Sequence, residues 1–314
     1  MPEIIISQNL DANESIFFAR ELEHIKARAY DILYPELKAT RLIPVSTEAG
    51  PGAESITYQQ YDSVGVMKII ADYADDLPRA DVKGKEFTST VKSLGGSYGY
   101  NVQEIRNARM AGKPLQQRKA NAVRMANEQQ VNKVAWFADG SSTWGGMVGF
   151  FYNANTTKSA APTGNWIGGA VSADLIIADV NFAINKVPDV TNGVESVDTV
   201  LMPQLEYSHL ASTPRSSTSD TTILEFLRRV HPGVIFEALN EAKAVSPNPR
   251  TGGAAVNLLI AYKRNPDKIT LEIPQPFEQF PAQKRGLEFV VPAHSRIGGV
   301  IMYYPLAVHI VDGI

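Results

Sequence analysis

The clearest pattern of hydrophobic and polar positions covers residues 113–139, KPLQQRKANAVRMANEQQVNKVAWFAD. Gly112 ends a shorter helical segment and Pro114 opens the next one, which is the usual placement of glycine after a helix and of proline in a first turn. One helical row is apolar or small except for a single glutamine: Val123, Ala126, Gln130, Val134 and Phe137. At about 1.5 Å per residue we predict a helix roughly 35–40 Å long. It is either an ordinary core helix or a spine along which a sheet packs.

The chain before this helix predicts an arm, a helix and a strand. Residues 1–9 form a short apolar arm in which Ile4 and Ile5 would be costly to expose in an isolated monomer, although a simple edge strand is an alternative. Residues 11–34 carry one apolar stripe at helical spacing and predict an amphipathic helix. The sequence RLIPV at 41–45 predicts a strand.

Residues 46–95 differ in character from the rest of the chain. Extended runs at 56–70, divided about Asp62–Ser63, and at 85–96 flank the acidic stretch ADYADDLPRADVKG. Few of these residues suit a core of their own, and an isolated hairpin is barely stable in water. We therefore predict a long two-stranded excursion that needs a partner surface. A hairpin folded back on its own domain fits the same pattern.

The second half of the chain predicts an α/β segment followed by closing strands. A short helix at 97–111 enters the long helix, and strands alternate with helices after it. The predicted helices are 170–187 and 222–230, and the predicted strands are 198–203, 233–239 and 254–262. The extended residues 267–314 must find a sheet. We expect them to return along the long helix, which makes the α/β segment an insertion.

Composition and charge narrow the class of protein. The 314 residues are 44% hydrophobic and 20% charged, as in globular proteins. A formal net charge of -3 argues against a protein that grips nucleic acid by its bulk charge. The chain has no cysteine, which excludes disulfides and thiolate metal sites. Neither a signal peptide nor a membrane span is predicted, so we expect no membrane association and folding in a cytoplasm.

Local motifs for catalysis or metal binding are missing. The glycine-rich stretch 139–157 lacks the lysine and serine or threonine that end a phosphate loop. No two histidines have the spacing of a metal pair: His24, His209, His231, His294 and His309. The acidic cluster of Asp72, Asp75, Asp76 and Asp81 lies in a polar, loop-like stretch unsuited to acid–base chemistry. We expect no cofactor, no metal and no enzyme, although catalytic residues can assemble from distant segments.

The order of these parts resembles a known family. Residues 76–140, DLPRADVKGKEFTSTVKSLGGSYGYNVQEIRNARMAGKPLQQRKANAVRMANEQQVNKVAWFADG, and 296–305, RIGGVIMYYP, carry the likeness most clearly. The chain resembles tailed-bacteriophage major capsid proteins of the Hong Kong 97-type fold, which encapsulin shells share. The resemblance covers nearly the whole chain and implies an α+β fold without an active site.

The resemblance also implies a division of labour. Residues 1–45 would be an N-terminal arm and helix, and 46–95 an extended β-hairpin loop lying over a neighbour. Residues 96–146 and 286–314 would form a peripheral domain around the spine helix, and 147–285 an α/β axial domain around five-fold and six-fold axes. Candidate inter-subunit contacts are Ile4, Ile5, Tyr58, Tyr61, Arg79, Arg118 and Arg124.

The function implied by the resemblance is structural. Copies of the chain would assemble through pentamers and hexamers into an icosahedral shell that encloses double-stranded DNA without sequence-specific binding. Portal, scaffold or decoration proteins are possible further partners, and the expected location is the virion, assembled in the bacterial host cytoplasm. Two alternatives stay open: an encapsulin-type compartment around a cargo enzyme, and a soluble α/β enzyme with a non-local active site.

Overall fold

The computed structural model describes residues 35–65, 67, 79–112, 115–168, 171–216, 218 and 220–314. The chain divides into two compact units, Met1–Glu36 and Leu37–Ile314, and the fold below is that of the second unit. The predicted apolar arm with Ile4 and Ile5, and the predicted helix at 11–34, lie outside the described residues.

The described part of the chain contains six α-helices and fourteen strands. The helices are α1 (Ala39–Leu42), α2 (Val102–Ala111), α3 (Leu115–Phe137), α4 (Ala173–Val190), α5 (Gln204–Ser212) and α6 (Ile223–Val230). The first strands are β1 (Val45–Ser46), β2 (Ser55–Val64), β3 (Asp81–Thr90), β4 (Lys92–Asn101) and β5 (Thr157–Ala160). Strands β6 (Thr199–Met202), β7 (Ile235–Ala238), β8 (Leu258–Tyr262), β9 (Ile269–Glu272) and β10 (Gln275–Gln279) follow. The chain closes with β11 (Gln283–Arg285), β12 (Glu288–Ile297), β13 (Gly299–Met302) and β14 (Val308–Asp312).

The predicted long helix is α3, and the helix before it ends where the sequence indicated. Gly112 adopts φ 63°, and its N–H bonds back to the carbonyls of Ala108 and Arg109. Glycine takes this left-handed conformation without steric cost, so it stops α2 cleanly. At its other end α2 begins with a capping box, because the Asn101 side chain accepts from the Glu104 N–H and the Glu104 carboxylate accepts from the Asn101 N–H.

A five-stranded sheet, ordered β5-β14-β8-β6-β7, divides the hydrophobic interior into two cores. Successive side chains of a strand point to opposite faces. Accordingly Leu258, Ile260 and Tyr262 of β8 belong to the core that contains the C-terminal half of α3. Leu259 and Ala261 belong to the core that contains α4 and α6. The sheet is thus covered on both faces.

A second sheet is built around β12. Strand β4 pairs antiparallel along one side of β12, from Lys92 opposite Ile297 to Asn101 opposite Glu288. On its other side β12 pairs with β10 and then with β11. A small third sheet has the strand order β1-β9-β13, and its strand β13 contacts α3 and β3.

Three local predictions from sequence were wrong. The stretch RLIPV begins inside α1, because Ala39 and Leu42 bury one helical turn, and only Val45 of the stretch belongs to β1. Residues 55–64 form one strand rather than two runs, since Asp62 faces solvent opposite Lys83 and interrupts nothing. Residues 97–101 belong to β4 and not to a helix.

The closing strands depart from the expected course along α3 at their end. Strands β12 and β13 contact α3. Strand β14 instead lies inside the five-stranded sheet, parallel to β5 and antiparallel to β8. Its five residues are all buried, so it needs a neighbour on each side to satisfy its backbone. Val308–Asp312 therefore forms part of the same sheet as the strands of the α/β segment.

Candidate assembly surfaces

The arm formed by β2 and β3 is a two-stranded sheet with no third strand among the described residues. Its register runs without interruption from Ser55 opposite Thr90 to Val64 opposite Asp81. The first six residues of β3 are exposed. A two-stranded ribbon cannot bury a face of its own. The arm is the part of the described chain that most clearly lacks a partner.

Aromatic rings fix the base of the arm to the body. The Tyr58 ring stacks on Phe87 with centroids 5.2 Å apart and meets Tyr303 edge-on at 4.9 Å. The Tyr58 hydroxyl donates to the Met302 carbonyl at 3.4 Å. Burial, and secondarily Tyr303, raises the pKa of Tyr58, so the hydroxyl stays protonated and keeps donating at neutral pH. Tyr58, predicted as an inter-subunit contact, is in the single chain an anchor of the arm.

Hydroxyl groups add two further ties at the same place. Ser89 donates to the Gly298 carbonyl at 3.0 Å, and Thr90 donates to the Gly145 carbonyl at 3.1 Å. A Cβ at Gly298 would approach the side chain of Glu272 to 3.1 Å. It would also lie 3.2 Å from Ile56 Cδ1 of the arm, so a larger residue at Gly298 would press on the contact between arm and body.

A cleft lies between the base of the arm and the body, and we call it the tyrosine cleft after the residues that line it. Its volume is about 770 Å³, and Tyr58 and Tyr61 line it together with Tyr303 and Tyr304. Tyr61 is 66% exposed, and its hydroxyl donates to Gln59 at 2.6 Å. The structure therefore brings the two predicted tyrosines to one surface.

The predicted arginines lie elsewhere. Arg79 is exposed just before β3, and Arg118 and Arg124 are exposed on the N-terminal half of α3. Arg124 pairs with Glu128 one turn later at 3.0 Å, an exposed pair that contributes little to stability. None of the three lines the tyrosine cleft.

Sequence reasoning missed a buried asparagine on α3. The Asn132 Oδ1 accepts from the Ala39 N–H at 3.1 Å and from the Trp136 indole at 3.3 Å, while its Nδ2 donates to Glu241 at 2.6 Å. One side chain thus joins α3 to α1 and to the residues after β7. A polar residue on the buried side of a long helix was the available signal, but the helical row chosen from sequence passed through Gln130 instead.

The C-terminal end of α3 is closed by the chain that follows it. The N–H groups of Gly149, Phe150 and Phe151 donate to the carbonyls of Ala138, Ala135 and Trp136 at 2.7, 2.7 and 3.2 Å. These carbonyls would otherwise lack partners at a helix end. The close approach requires glycine, because a Cβ at Gly149 would lie 2.7 Å from the Val134 carbonyl oxygen.

Chemical sites are scarce in the part of the chain that the structure describes. Within it, no group of three histidine or acidic side chains could hold a metal ion. The described helices include none that is long and apolar enough to cross a membrane. His309 is fully buried in β14, with Nε2 3.0 Å from Ser159 Oγ, and burial lowers its pKa to about 4. It is a neutral core residue at physiological pH.

The sequence matches a family model described as "Major capsid protein" over residues 65–314. The chain belongs to the major capsid protein family. Its role is therefore that of a structural protein of a capsid, a virion component. Among curated proteins, none matches the sequence of this capsid protein significantly.

Solved capsids show the same fold. The capsid of Myoviridae phage XM1 is 19% identical, with a TM-score of 0.82 over 96% of this capsid protein and 99% of that chain. A chain of Mycobacterium phage Ogopogo gives a TM-score of 0.63 at 12% identity over 95% and 99% of the two chains. The capsid of the native GTA particle gives 0.62 at 10% identity over 96% and 99%. The Hong Kong 97-type fold predicted from sequence is confirmed.

Proposed function

We propose that this capsid protein assembles with copies of itself, through pentamers and hexamers, into an icosahedral shell that encloses the double-stranded DNA of a bacteriophage. The observation that carries the proposal is the unsupported arm of β2 and β3 on a chain of this family. The arm would lie over a neighbouring subunit, and many modest contacts of this kind add up through multivalency. A capsid of the same fold, that of the native GTA particle, was computed with C5 symmetry, which supports the proposed five-fold arrangement.

The same proposal assigns a role in the shell to each part of the fold. The arm would be the extended loop, α3 with the β4–β12 sheet the peripheral domain, and the five-stranded sheet with α4 to α6 the axial domain. The proposed contacts between copies remain Ile4, Ile5, Tyr58, Tyr61, Arg79, Arg118 and Arg124. Assembly would take place in the bacterial host cytoplasm, with portal, scaffold or decoration proteins as further partners.

The test is the size of the particle that the chain forms when it is expressed alone. Light scattering and negative-stain microscopy at modest salt should show closed shells, or free pentamers and hexamers. A well-folded monomer at all concentrations, with the arm protected from protease, would contradict the proposal. Shells that hold a bound protein instead of DNA, when assembled in cells with the phage packaging components, would favour an encapsulin-type compartment.

A shortened arm provides the matched variant. Tyr58 lies directly opposite Phe87 in the hairpin register. Replacing residues 59–86 with Asn-Gly would close the hairpin there, because this pair favours the tight turn that joins two antiparallel strands. The aromatic anchor and the body stay intact, so circular dichroism should show a folded chain. We expect that this variant forms no shells.

A further inference from the structure

Most of the surface of helix α2 is left uncovered by the rest of the described chain. It is 10 residues long, and none of its side chains is buried. Its main contacts are with the neighbouring strand β4. Met110, in its last turn, is 94% exposed. The capping box and Gly112 explain why the helix forms, and Val102, Ile105 and Ala108 are half-buried. A helix this short is marginal in water on its own, so further cover on its exposed residues would stabilise it.

The exposed face of α2 is positively charged. Arg106 and Arg109 are exposed and three residues apart, so their side chains lie on neighbouring positions of one face. Neither makes an ion pair within the described chain. Like charges at this spacing destabilise a helix. An acidic partner would remove that repulsion and cover Met110.

The cleft at the base of the arm has the complementary character. Glu48 and Asp267 line it beside the tyrosines, and both are exposed. Neither carboxylate makes an ion pair within the described residues. Lys268 lies near Tyr304, 4.0 Å from its ring centroid, but its charge is matched by Glu195 at 2.5 Å. The cleft therefore presents unpaired negative charge beside the exposed side chains of Tyr61 and Tyr304.

We propose that α2 of one copy docks in the tyrosine cleft of a second copy. The inference rests on the proposed assembly of identical subunits. Arg106 and Arg109 would meet Glu48 and Asp267, and a guanidinium also stacks well on tyrosine faces. Met110 would place its thioether against the rings, a favourable contact for sulfur. The two surfaces differ, so the contact is head-to-tail and repeats from copy to copy around a ring.

A second copy fits better than nucleic acid as the occupant. Phosphates could pair with the arginines of α2, but they would leave the carboxylates of the cleft unpaired and would be repelled by them. A contact between copies uses both surfaces at once. Each copy would also present α2 to one neighbour and its tyrosine cleft to another, so the same contact can repeat through a shell of identical chains.

Charge reversal tests the contact. Arg109→Glu alone and Asp267→Arg alone should each raise the protein concentration needed for half assembly by at least about tenfold, since like charges across an interface are costly. Both changes in one chain should restore assembly, because every contact again joins opposite charges. Arg228→Glu is the matched control, since Arg228 is exposed at the end of α6, bonds to the Tyr207 hydroxyl and forms no ion pair with any residue that the structure describes. It should neither impair assembly nor rescue Asp267→Arg.

The absence of cysteine allows a second, covalent test. Met110→Cys and Tyr304→Cys are placed on separate chains and co-assembled under mild oxidation. A disulfide-linked dimer should appear with this pair and not when Ser208→Cys replaces Tyr304→Cys. Rescue by charge swap together with the cross-link would support the docking.

Other outcomes would overturn the docking. Shells that assemble normally with either single reversal and form no cross-link would contradict the contact and leave the proposed shell intact. Loss of nucleic acid from Arg109→Glu shells of normal assembly would show that α2 binds phosphate instead. Failure of the unchanged chain to assemble would refute the proposed function itself.

Discussion

Gly149→Ala tests how the C-terminal end of α3 is held. A methyl group at this position would lie 2.7 Å from the Val134 carbonyl oxygen and 2.8 Å from the Ala138 nitrogen. Both atoms are backbone, so neither can rotate away. The segment at 149–151 must move outward instead, and its three hydrogen bonds to the helix end lengthen together.

The magnitude follows from these contacts. Losing two of the three bonds costs about 1–3 kcal/mol, at about 0.5–1.5 kcal/mol for each. Displacing Phe150 and Phe151 from the core adds about 1–3 kcal/mol, as overpacking usually does. Alanine restricts the unfolded chain and returns about 0.4–1 kcal/mol. Together these contributions predict that the free energy of unfolding falls by about 1–5.5 kcal/mol.

The assay is urea unfolding of the unassembled chain, followed by tryptophan fluorescence, because Trp136 is fully buried at this helix end. The free energy comes from the midpoint and slope of the transition. Gly233→Ala is the matched control, since a Cβ there meets nothing within 4 Å. If Gly149→Ala stays within about 0.5 kcal/mol of the unchanged chain, the span typical of neutral surface changes, the close approach does not constrain this site.

Two further predictions concern pH and the arm. Burial lowers the pKa of His309 from 6.5 to about 4. The unfolded chain therefore binds a proton at this histidine more tightly than the folded chain does. We expect the free energy of unfolding to be highest above pH 6.5 and to fall by up to about 3 kcal/mol on acidification to pH 4. His309→Gln should flatten urea-measured stability across that range, and an unchanged slope would show that other groups dominate. Tyr58→Ala removes both ring contacts, each of about 0.5–1.5 kcal/mol, and should speed limited proteolysis of the unassembled arm roughly tenfold. Tyr58→Phe keeps the rings and should change the cleavage rate little; equal acceleration by both would instead assign the anchor to the hydroxyl.

Periodicity in the sequence predicted the elements whose neighbours are local or whose pattern is strong. Helix α3 was found because proline and glycine bound a long uninterrupted row, and β8 because an apolar run of that length needs burial on both faces. The arm was predicted from its lack of apolar positions. Fold class followed from the order of these parts.

Long-range pairings could not be predicted, because they depend on partners distant in the chain. Nothing in the local sequence of β14 distinguishes a place beside α3 from one between β5 and β8. The role of Asn132 depends on Ala39 and Glu241, far from it in sequence. Tyr58 and Tyr61 were chosen as contacts from their exposed arm, but only the structure shows that Tyr58 anchors the arm and that Tyr303 and Tyr304 complete a cleft.

The division of the interior by β8 limits how this protein can change in length over evolution. One residue inserted within Leu258–Tyr262 would turn every later side chain of the strand to the opposite face, and both cores would receive side chains shaped for the other. Insertions should therefore be absent from this strand among relatives. They should collect in turns whose ends are tied together, such as the one that the Arg215 N–H closes on the Thr221 carbonyl, where added residues leave both cores untouched.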